Sequence, residues 1–174
     1  MSARTREFEL AVKSFSADLY RFAFWLARDR HVAEDLVQEC FQRAWINWES
    51  LNDQVAVKKW LFTILRREFL RRLERKQLEI IDIAGLELPA ADTLSMDELY
   101  GLRQALARAP DSLREPLLMQ VLGGFSAEEL AVLNQTSAGA MVTRLSRARQ
   151  WLRNRLSADG APPAAPATLG KIKE

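Results

Sequence analysis

The feature that most constrains the fold is the segment 126–156, which has the pattern of two helices joined by a tight turn. Ser126 is followed three residues later by Glu129, a capping box that predicts the start of a helix. The helical pattern breaks at residues 134–136. A second helix then carries apolar side chains along one stripe: Met141, Leu145, Ala148, Leu152 and Leu156. This arrangement predicts a helix-turn-helix.

The second helix of this motif is strongly basic. Between positions 144 and 155 it carries five arginines and no acidic residue. A helix of that width and charge can enter the major groove of DNA. The pattern therefore favours DNA binding. The alternative is an amphipathic helical hairpin with a solvated basic face.

The composition narrows the class of protein. The chain has 174 residues, of which 48% are hydrophobic, enough for one ordinary domain or two small helical ones. The single cysteine, Cys40, excludes an internal disulfide. Because the chain also has only one histidine, His31, a zinc site would need several carboxylate ligands. We find no P-loop, GxGxxG or GxSxG motif, and we expect no catalytic residue, metal or cofactor. Without a bilayer-length apolar run or a secretory signal, we expect a cytoplasmic protein that does not insert into membranes.

Charge is distributed unevenly along the chain. Residues 2–76 hold 15 basic and 11 acidic side chains, and residues 103–156 hold 8 basic and 4 acidic. The intervening segment 77–102 has 6 acidic residues and no basic one. Two basic blocks around an acidic connector predict two surfaces that face a polyanion.

Helical spacing predicts an all-α fold. Amphipathic helices are predicted over 14–27, 32–48, 58–77 and 99–109. A further helix is predicted to begin with a capping box at Ser112 and Glu115, to hold Pro116 in its first turn, and to end at Gly123-Gly124. We interpret this as two small helical domains, 8–77 and 99–156, joined by an acidic linker, 78–98, and followed by a disordered tail, 157–174.

Two faces of the amino-terminal domain are candidate binding surfaces. The helix 32–48 shows an acidic edge opposite its apolar stripe, either solvated or a docking surface for a basic partner. The helix 58–77 is predicted to turn Leu61, Leu65, Phe69 and Leu73 to the core, with lysines and arginines around them. Aromatic rings beside such a helix suit single-stranded nucleic acid. The alternative is that at least two of Trp45, Trp48 and Trp60 are core residues.

Three stretches carry a resemblance to a known family. AEDLVQECFQRAW (33–45) looks like the polymerase-binding part of region 2 in bacterial sigma factors. KKWLFTILRREFLRRLERK (58–76) is similar to the helix that follows their −10 reading loop, and 113–153 looks like region 4, which reads the −35 element. The chain thus resembles a sigma-70 family RNA polymerase sigma factor of the small extracytoplasmic-function (ECF) type.

The resemblance implies a function, partners and site residues. The chain would bind core RNA polymerase and direct promoter recognition and transcription initiation, and an anti-sigma factor would hold it inactive. The polymerase-binding residues would be Asp35, Gln38 and Glu39. The loop 48–57, with Trp48 and Asn52, would capture an unstacked base of the −10 strand. The charge of the helix that follows it separately predicts −10 contacts at Lys58, Lys59, Arg66, Arg67 and Arg71. The −35 surface would comprise Ser126, the base-edge positions Ser137, Ala140, Met141 and Arg144, and the phosphate contacts Arg147 and Arg149.

The chain departs from the family pattern at several positions. The family usually has Asn and Asp where this chain has Arg67 and Arg71, and it often has Gly at Gln135, Pro at Ser137 and Lys at Val142. Arg67 and Arg71 lie four residues apart on one helix face, where like charges repel. We therefore expect both to contact phosphates near the −10 element.

Two other functions fit parts of the sequence. A conventional helix-turn-helix transcription regulator with an amino-terminal sensory domain would explain the carboxy-terminal motif. It has no need of an acidic docking face followed by an aromatic and basic helix. A helical hydrolase or nuclease would need carboxylates facing a cleft, whereas the acidic residues are predicted on outer faces or in the connector.

Overall fold

The computed structural model describes residues 2–51, 56–76 and 96–158, and its regular elements are all helical. The sequence-based expectation of an all-α chain is confirmed. The acidic segment 77–95, the loop residues 52–55 and the end of the predicted tail, 159–174, lie outside the described residues. The elements are α1 (Ala3–Ala27), α2 (Arg30–Ile46), a 3-10 turn (Trp48–Ser50), α3 (Val57–Lys76), α4 (Met96–Arg108), α5 (Asp111–Gly123), α6 (Ala127–Leu133) and α7 (Ala138–Ala158).

The first three helices pack on one another and bury the predicted apolar stripes. Leu19, Leu36, Leu61 and Leu65 are fully buried, and Phe69 is partly buried. The prediction was wrong for Leu73, which is 45% exposed. Residues 73–75 are exposed on every side of α3, so no other described element covers this last turn. None of the described helices is long and apolar enough to cross a membrane.

Helix α1 begins at Ala3, well before the predicted start at residue 14. The side chain of Ser2 caps it by accepting a hydrogen bond from the backbone N–H of Thr5. The added turns place the ring of Phe8 against Trp45 and Trp48, with centroids 5.0 and 5.1 Å apart. Tertiary packing of one aromatic ring thus stabilises a polar helical segment whose own pattern is weak.

The turn between α4 and α5 differs from the prediction. The N-cap of α5 is Pro110, and Ser112 lies inside the helix, so the expected capping box with Glu115 does not form. Because the helix starts earlier than expected, Pro116 lies in its interior and not in its first turn. The buried guanidinium of Arg114 instead donates to the carbonyl of Leu106 in the last turn of α4 and to that of Ala109, the residue that follows the helix.

The end of α5 follows the prediction. Gly124 adopts the left-handed conformation, φ 73°, that a C-cap glycine supplies without steric cost. The chain then reverses into α6. Linker residues 96–98 belong to α4, and α7 continues to Ala158, so both elements extend beyond their predicted bounds.

The two predicted domains lie in contact. Helix α5 packs against α1 and α3, and α4 and α6 pack against α7. Among the described residues, one apolar cluster runs from Phe22 and Phe62 in the amino-terminal half to Met119, Leu130 and Met141 in the carboxy-terminal half. The arrangement of the two halves therefore decides which of the candidate binding residues are free to meet a partner.

Candidate nucleic-acid interface

The helix-turn-helix forms as predicted. Ser126 and Glu129 make the reciprocal capping box at the start of α6, with Ser126 N–H donating to Glu129 Oε2 over 2.7 Å. The hydroxyl oxygen of Ser137 accepts from the backbone N–H of Ala140 at the start of α7. Between the helices, Gln135 adopts the left-handed conformation with φ 51°. This conformation disfavours a side chain, which is the physical reason that a glycine suits the position.

The apolar stripe of α7 sets which of its residues face outward. Met141, Leu145 and Ala148 are buried, with Met141 at 0% exposure. The assignment of Met141 to a base-edge position is therefore corrected, because its side chain belongs to the core that carries the helix. Of the other predicted base-edge residues, Ser137 and Ala140 are exposed and Arg144 is partly exposed.

A groove runs beside the amino-terminal half of α7. Its volume is about 440 Å³. Two arginines of α7 line one side, and the first turn of α5 lines the other. The lining residues used below are Ser112, Leu113, Ala140, Thr143, Arg144 and Arg147. Cations beside an exposed polar helix face suit contact with a nucleic-acid backbone and base edges together.

Two other predicted −35 residues, Arg149 and Ser126, are not among the residues that line this groove. Arg149 is exposed and its guanidinium donates a hydrogen bond to the side-chain oxygen of Gln120 on α5. That contact holds Arg149 against α5. Ser126 is partly buried, and its side chain accepts a hydrogen bond from the N–H of Glu129, so its direct role is to begin α6.

The basic face of α3 is paired with acidic residues. Lys58 Nζ lies 2.8 Å from Asp18 Oδ2 on α1. Lys59 Nζ lies 2.7 Å from Glu129 Oε1 on α6, and this ammonium and the Ser126 N–H lower the pKa of Glu129. Two of the predicted −10 cations therefore already hold carboxylates.

Arg66 and Arg67 differ in their surroundings. Arg66 Nε lies 2.5 Å from Glu115 Oε1, and its Nη2 donates to Asn134 Oδ1 over 3.3 Å. Arg67 is exposed. The sequence offered no signal for the partners of Arg66, because they lie in the other half of the chain.

Glu68 joins α3 to α2, a contact that the sequence did not predict. Its side chain is only 6% exposed and accepts from Arg71 Nη1 at 3.0 Å, the spacing that places them on one face. It also meets Arg43 of α2 at 2.6 Å. A buried carboxylate between two guanidiniums fixes Arg71 against the α2–α3 packing. Arg71 itself remains exposed, so its predicted contact with phosphates near the −10 element stays a prediction.

The aromatic residues beside α3 belong mainly to the core. Trp48 is 7% exposed and packs edge-on against Phe8 and against Trp60, with centroids 5.1 and 6.0 Å apart. The core alternative thus holds for Trp48 and for the partly buried Trp60, and the assignment of Trp48 as a −10 contact is corrected. Trp45 is more exposed and carries the Arg4 guanidinium 4.5 Å above its ring. Asn52 lies outside the described residues.

The acidic edge of α2 is exposed. Asp35, Gln38 and Glu39 share the face opposite the buried Leu36 and Cys40. Asp35 Oδ2 meets Arg72 Nη2 of α3 at 3.4 Å, an ion pair at the surface. Surface pairs of this kind contribute little to stability, so this edge can exchange its partner for another cation.

The single cysteine and the single histidine are not poised for chemistry. Cys40 is fully buried, and burial raises the pKa of its thiol to about 12, which keeps it protonated and inert. His31 lies in the first turn of α2 with a 91% exposed side chain. Among the described residues, no group of three or more His, Cys, Asp or Glu side chains lies close enough to hold a metal ion.

Comparisons with known proteins identify the family. The model of Sigma-70 region 2 matches residues 11–79. The ECF RNA polymerase sigma factor EcfG of Rhodopseudomonas palustris is 33% identical over 153 residues, 85% of this chain and 84% of that one. SigM of Bacillus subtilis, also an ECF RNA polymerase sigma factor, is 32% identical over 145 residues, 78% of this chain and 86% of that one.

A solved structure of a sigma factor also matches this chain. The sigma factor RpoE from Bartonella quintana, in complex with the anti-sigma factor NepR, superposes with a TM-score of 0.73 at 31% identity. The match covers 89% of this chain and 97% of that one. The chain therefore belongs to the ECF RNA polymerase sigma factors, which direct transcription initiation.

Proposed function

We propose that this chain binds core RNA polymerase and reads promoters at two elements, the −10 strand with α3 and the loop before it, and the −35 element with α7. The observation that carries the proposal is the outward face of α7. Ser137, Ala140 and Arg144 face outward above a buried stripe, beside a groove lined by two arginines. That is the geometry in which a recognition helix presents side chains to base edges and phosphates.

The acidic edge of α2 is the proposed polymerase-docking surface. Asp35, Gln38 and Glu39 are exposed on one face of a helix whose other face is anchored in the core. A rigid helix that shows two carboxylates one turn apart suits a basic surface on a large partner. Because polymerase and chromosome share the bacterial cytoplasm, the chain would act there. The chemistry would belong to the polymerase, and this chain would supply specificity without catalysis.

A protein that holds the chain inactive is a further proposed partner. The RpoE structure that resembles this chain contains the anti-sigma factor NepR. The resemblance covers both halves of this chain, so a partner of the same class would meet a similar pair of surfaces. We expect such a partner to suppress transcription that depends on this chain.

Run-off transcription tests the main proposal. Core polymerase with this chain would transcribe a genomic fragment library, and the start sites would be mapped. We expect starts that share two upstream elements at a fixed spacing. Core polymerase alone is the control. A second reaction with core polymerase and an unrelated sigma factor separates the alternatives, because a conventional regulator acts only there. If transcription with this chain does not exceed that of core alone, the proposal is wrong.

A further inference from the structure

The first turn of α1 contacts the chain at the point where it leaves α2. The Arg4 guanidinium donates from Nη1 to Glu49 Oε1 in the 3-10 turn over 2.6 Å, and from Nη2 to the backbone carbonyl of Trp45 in the last turn of α2 over 2.7 Å. It also lies 4.5 Å from the centre of the Trp45 ring. One side chain of α1 thus binds both α2 and the 3-10 turn.

This polar contact is separate from the apolar packing beside it. Phe8 lies four residues after Arg4, and therefore on the same face of α1, and its ring packs against Trp45 and Trp48. Trp48 in turn belongs to the buried apolar cluster. Removal of the Arg4 guanidinium therefore leaves the ring contacts that anchor α1 to α2. Substitution of Arg4 tests the polar contact without loss of the fold.

The contribution of Arg4 is geometric more than energetic. The side chains of Arg4 and Glu49 are 35% and 78% exposed, and ion pairs at such exposure add little to the free energy of unfolding. A guanidinium nevertheless presents its N–H donors in a rigid planar fork. The Glu49 carboxylate and the Trp45 carbonyl fit this fork together only in a narrow range of orientations of the 3-10 turn relative to the end of α2. The contact therefore selects one conformation of this turn.

The 3-10 turn has room to shift when this contact is lost. A cavity of about 260 Å³ is lined on one side by α1 and on the other by the turn and the residue after it: Arg4, Glu7, Trp48, Glu49 and Leu51. The backbone hydrogen bonds of the turn run from Ser50 N–H to the Asn47 carbonyl over 3.0 Å and from Leu51 N–H to the Trp48 carbonyl over 3.2 Å. Because these bonds are local, they do not set the direction of the turn relative to α1.

We propose that Arg4 is a positioning residue for −10 recognition, which directs the 3-10 turn at the start of the loop that reads the −10 strand. The inference rests on the proposed function, which assigns this loop and α3 to that strand. Arg4 acts through Glu49 and does not itself meet DNA. A loop that leaves α2 in several directions binds the strand from only one of them. The apparent affinity then falls by the fraction of chains in that conformation.

Amide hydrogen exchange in the intact chain tests whether Arg4 holds the turn, and the N–H groups of Ser50 and Leu51 are the reporters. Arg6→Ala, at an exposed position on α1, makes the same change in net charge and is the matched control. We expect the two amides to exchange about tenfold faster in Arg4→Ala than in Arg6→Ala, with equal free energies of unfolding in urea. Equal exchange in the two variants would overturn the proposal. So would a clear loss of stability in Arg4→Ala with faster exchange throughout α1 and α2, because the role of Arg4 would then be structural.

Strand binding by the holoenzyme tests the functional consequence. Each variant is combined with core polymerase, and the probe is a single-stranded oligonucleotide with the −10 sequence from the run-off experiment. Anisotropy measures its affinity at several salt concentrations. We expect Arg4→Ala to bind about tenfold more weakly than Arg6→Ala, with the same salt slope. In a chain that already carries Glu49→Ala, the further change Arg4→Ala should have less than about a twofold effect, because the turn is already released.

The outcomes separate the positioning role from the proposed function. If wild-type holoenzyme binds the oligonucleotide but Arg4→Ala and Arg6→Ala bind it equally, the positioning role is refuted and the proposed function stands. A salt slope lowered by about 0.7 in Arg4→Ala would make Arg4 a phosphate contact, which overturns the proposal. An undiminished loss in the Glu49→Ala chain also overturns it, because Arg4 would not act through Glu49. If wild-type holoenzyme does not prefer the −10 sequence to a scrambled one, the −10 role of the loop is wrong and the positioning role falls with it.

Discussion

Truncation of Met141 should damage stability without changing DNA selectivity. The side chain is fully buried under the recognition helix. Met141→Ala removes three buried heavy atoms, which at about 0.8 kcal/mol for each methylene-sized group amounts to about 2.4 kcal/mol. The cavity left behind adds about 24 cal/mol per Å³, so the free energy of unfolding should fall by about 2–5 kcal/mol. Met141→Leu conserves the volume and should cost less than about 1.5 kcal/mol.

Arg144→Ala should reduce DNA selectivity and leave the stability of the chain nearly unchanged. The guanidinium is partly exposed at the groove, and its removal empties no core position. Surface substitutions of this kind change stability by about 0.5 kcal/mol or less. If Arg144 reads a base, its loss should cost about 1–3 kcal/mol at the preferred −35 duplex and little on other sequences.

Two measurements on the same variants check this contrast. Urea unfolding gives the free energy of unfolding, and competition between a selected −35 duplex and a scrambled one gives selectivity, corrected for the folded fraction. The selected duplex would come from a randomised library enriched with the wild-type chain. The reasoning is refuted if Met141→Ala loses selectivity while its free energy of unfolding stays near the wild-type value, because Met141 would then reach DNA.

Four further predictions follow from other parts of the structure. Glu129→Gln keeps the cap but loses the ion pair with α3, so the free energy of unfolding should fall by about 0.2–1 kcal/mol at pH 7. In the folded chain the pKa of Glu129 is lowered from its ordinary value of 4.5. The difference in stability between Glu129→Gln and the wild-type chain should therefore vanish as the pH falls below 4.5 and through the folded pKa. Unfolding curves measured across this pH range would show the loss. Charge reversal at both Asp35 and Glu39 should abolish co-purification with core polymerase while circular dichroism stays unchanged; wild-type recovery would mean a merely solvated face. Arg67→Asn should lower the salt slope of −10 strand binding by about 0.7, the value for one phosphate contact on a single strand. Cys40, whose thiol has a pKa of about 12, should resist alkylation in the folded chain and react only on unfolding.

The parts of the fold that could be predicted depend on local sequence. The capping box of Ser126 and Glu129 and the stripe of Met141, Leu145 and Ala148 involve residues three, four or seven positions apart. Helix geometry alone places such residues together, whatever the rest of the chain does. The same local reasoning located the C-cap at Gly124, where a left-handed residue was needed.

Reasoning from local sequence was wrong about the start of α5 and did not predict the backbone conformation of Gln135. Ser112 and Glu115 have capping-box spacing, but α5 already begins at Asp111, and its Arg114 donates to the carbonyl of Leu106 in α4. At position 135 a glutamine gives no sign of the left-handed backbone that the structure shows. The tight turn there is required by the packing of α6 against α7. The family's frequent glycine at this position is the one hint that the sequence comparison contained.

The candidate binding surfaces also combine features set by the sequence with features set by tertiary packing. The sequence by itself determined that α3 is basic, that α7 is basic on one face, and that α2 has an acidic edge, because charge and helical spacing are properties of the chain. Only the tertiary structure decided that Lys59 meets Glu129, 70 residues away, and that Arg66 meets Glu115, 49 residues away. The strength of a charge pair depends on its distance and on the surrounding dielectric, and packing sets both. Spacing alone placed Met141 on the apolar stripe of its helix, whereas the resemblance gave it a base-edge role that its complete burial contradicts.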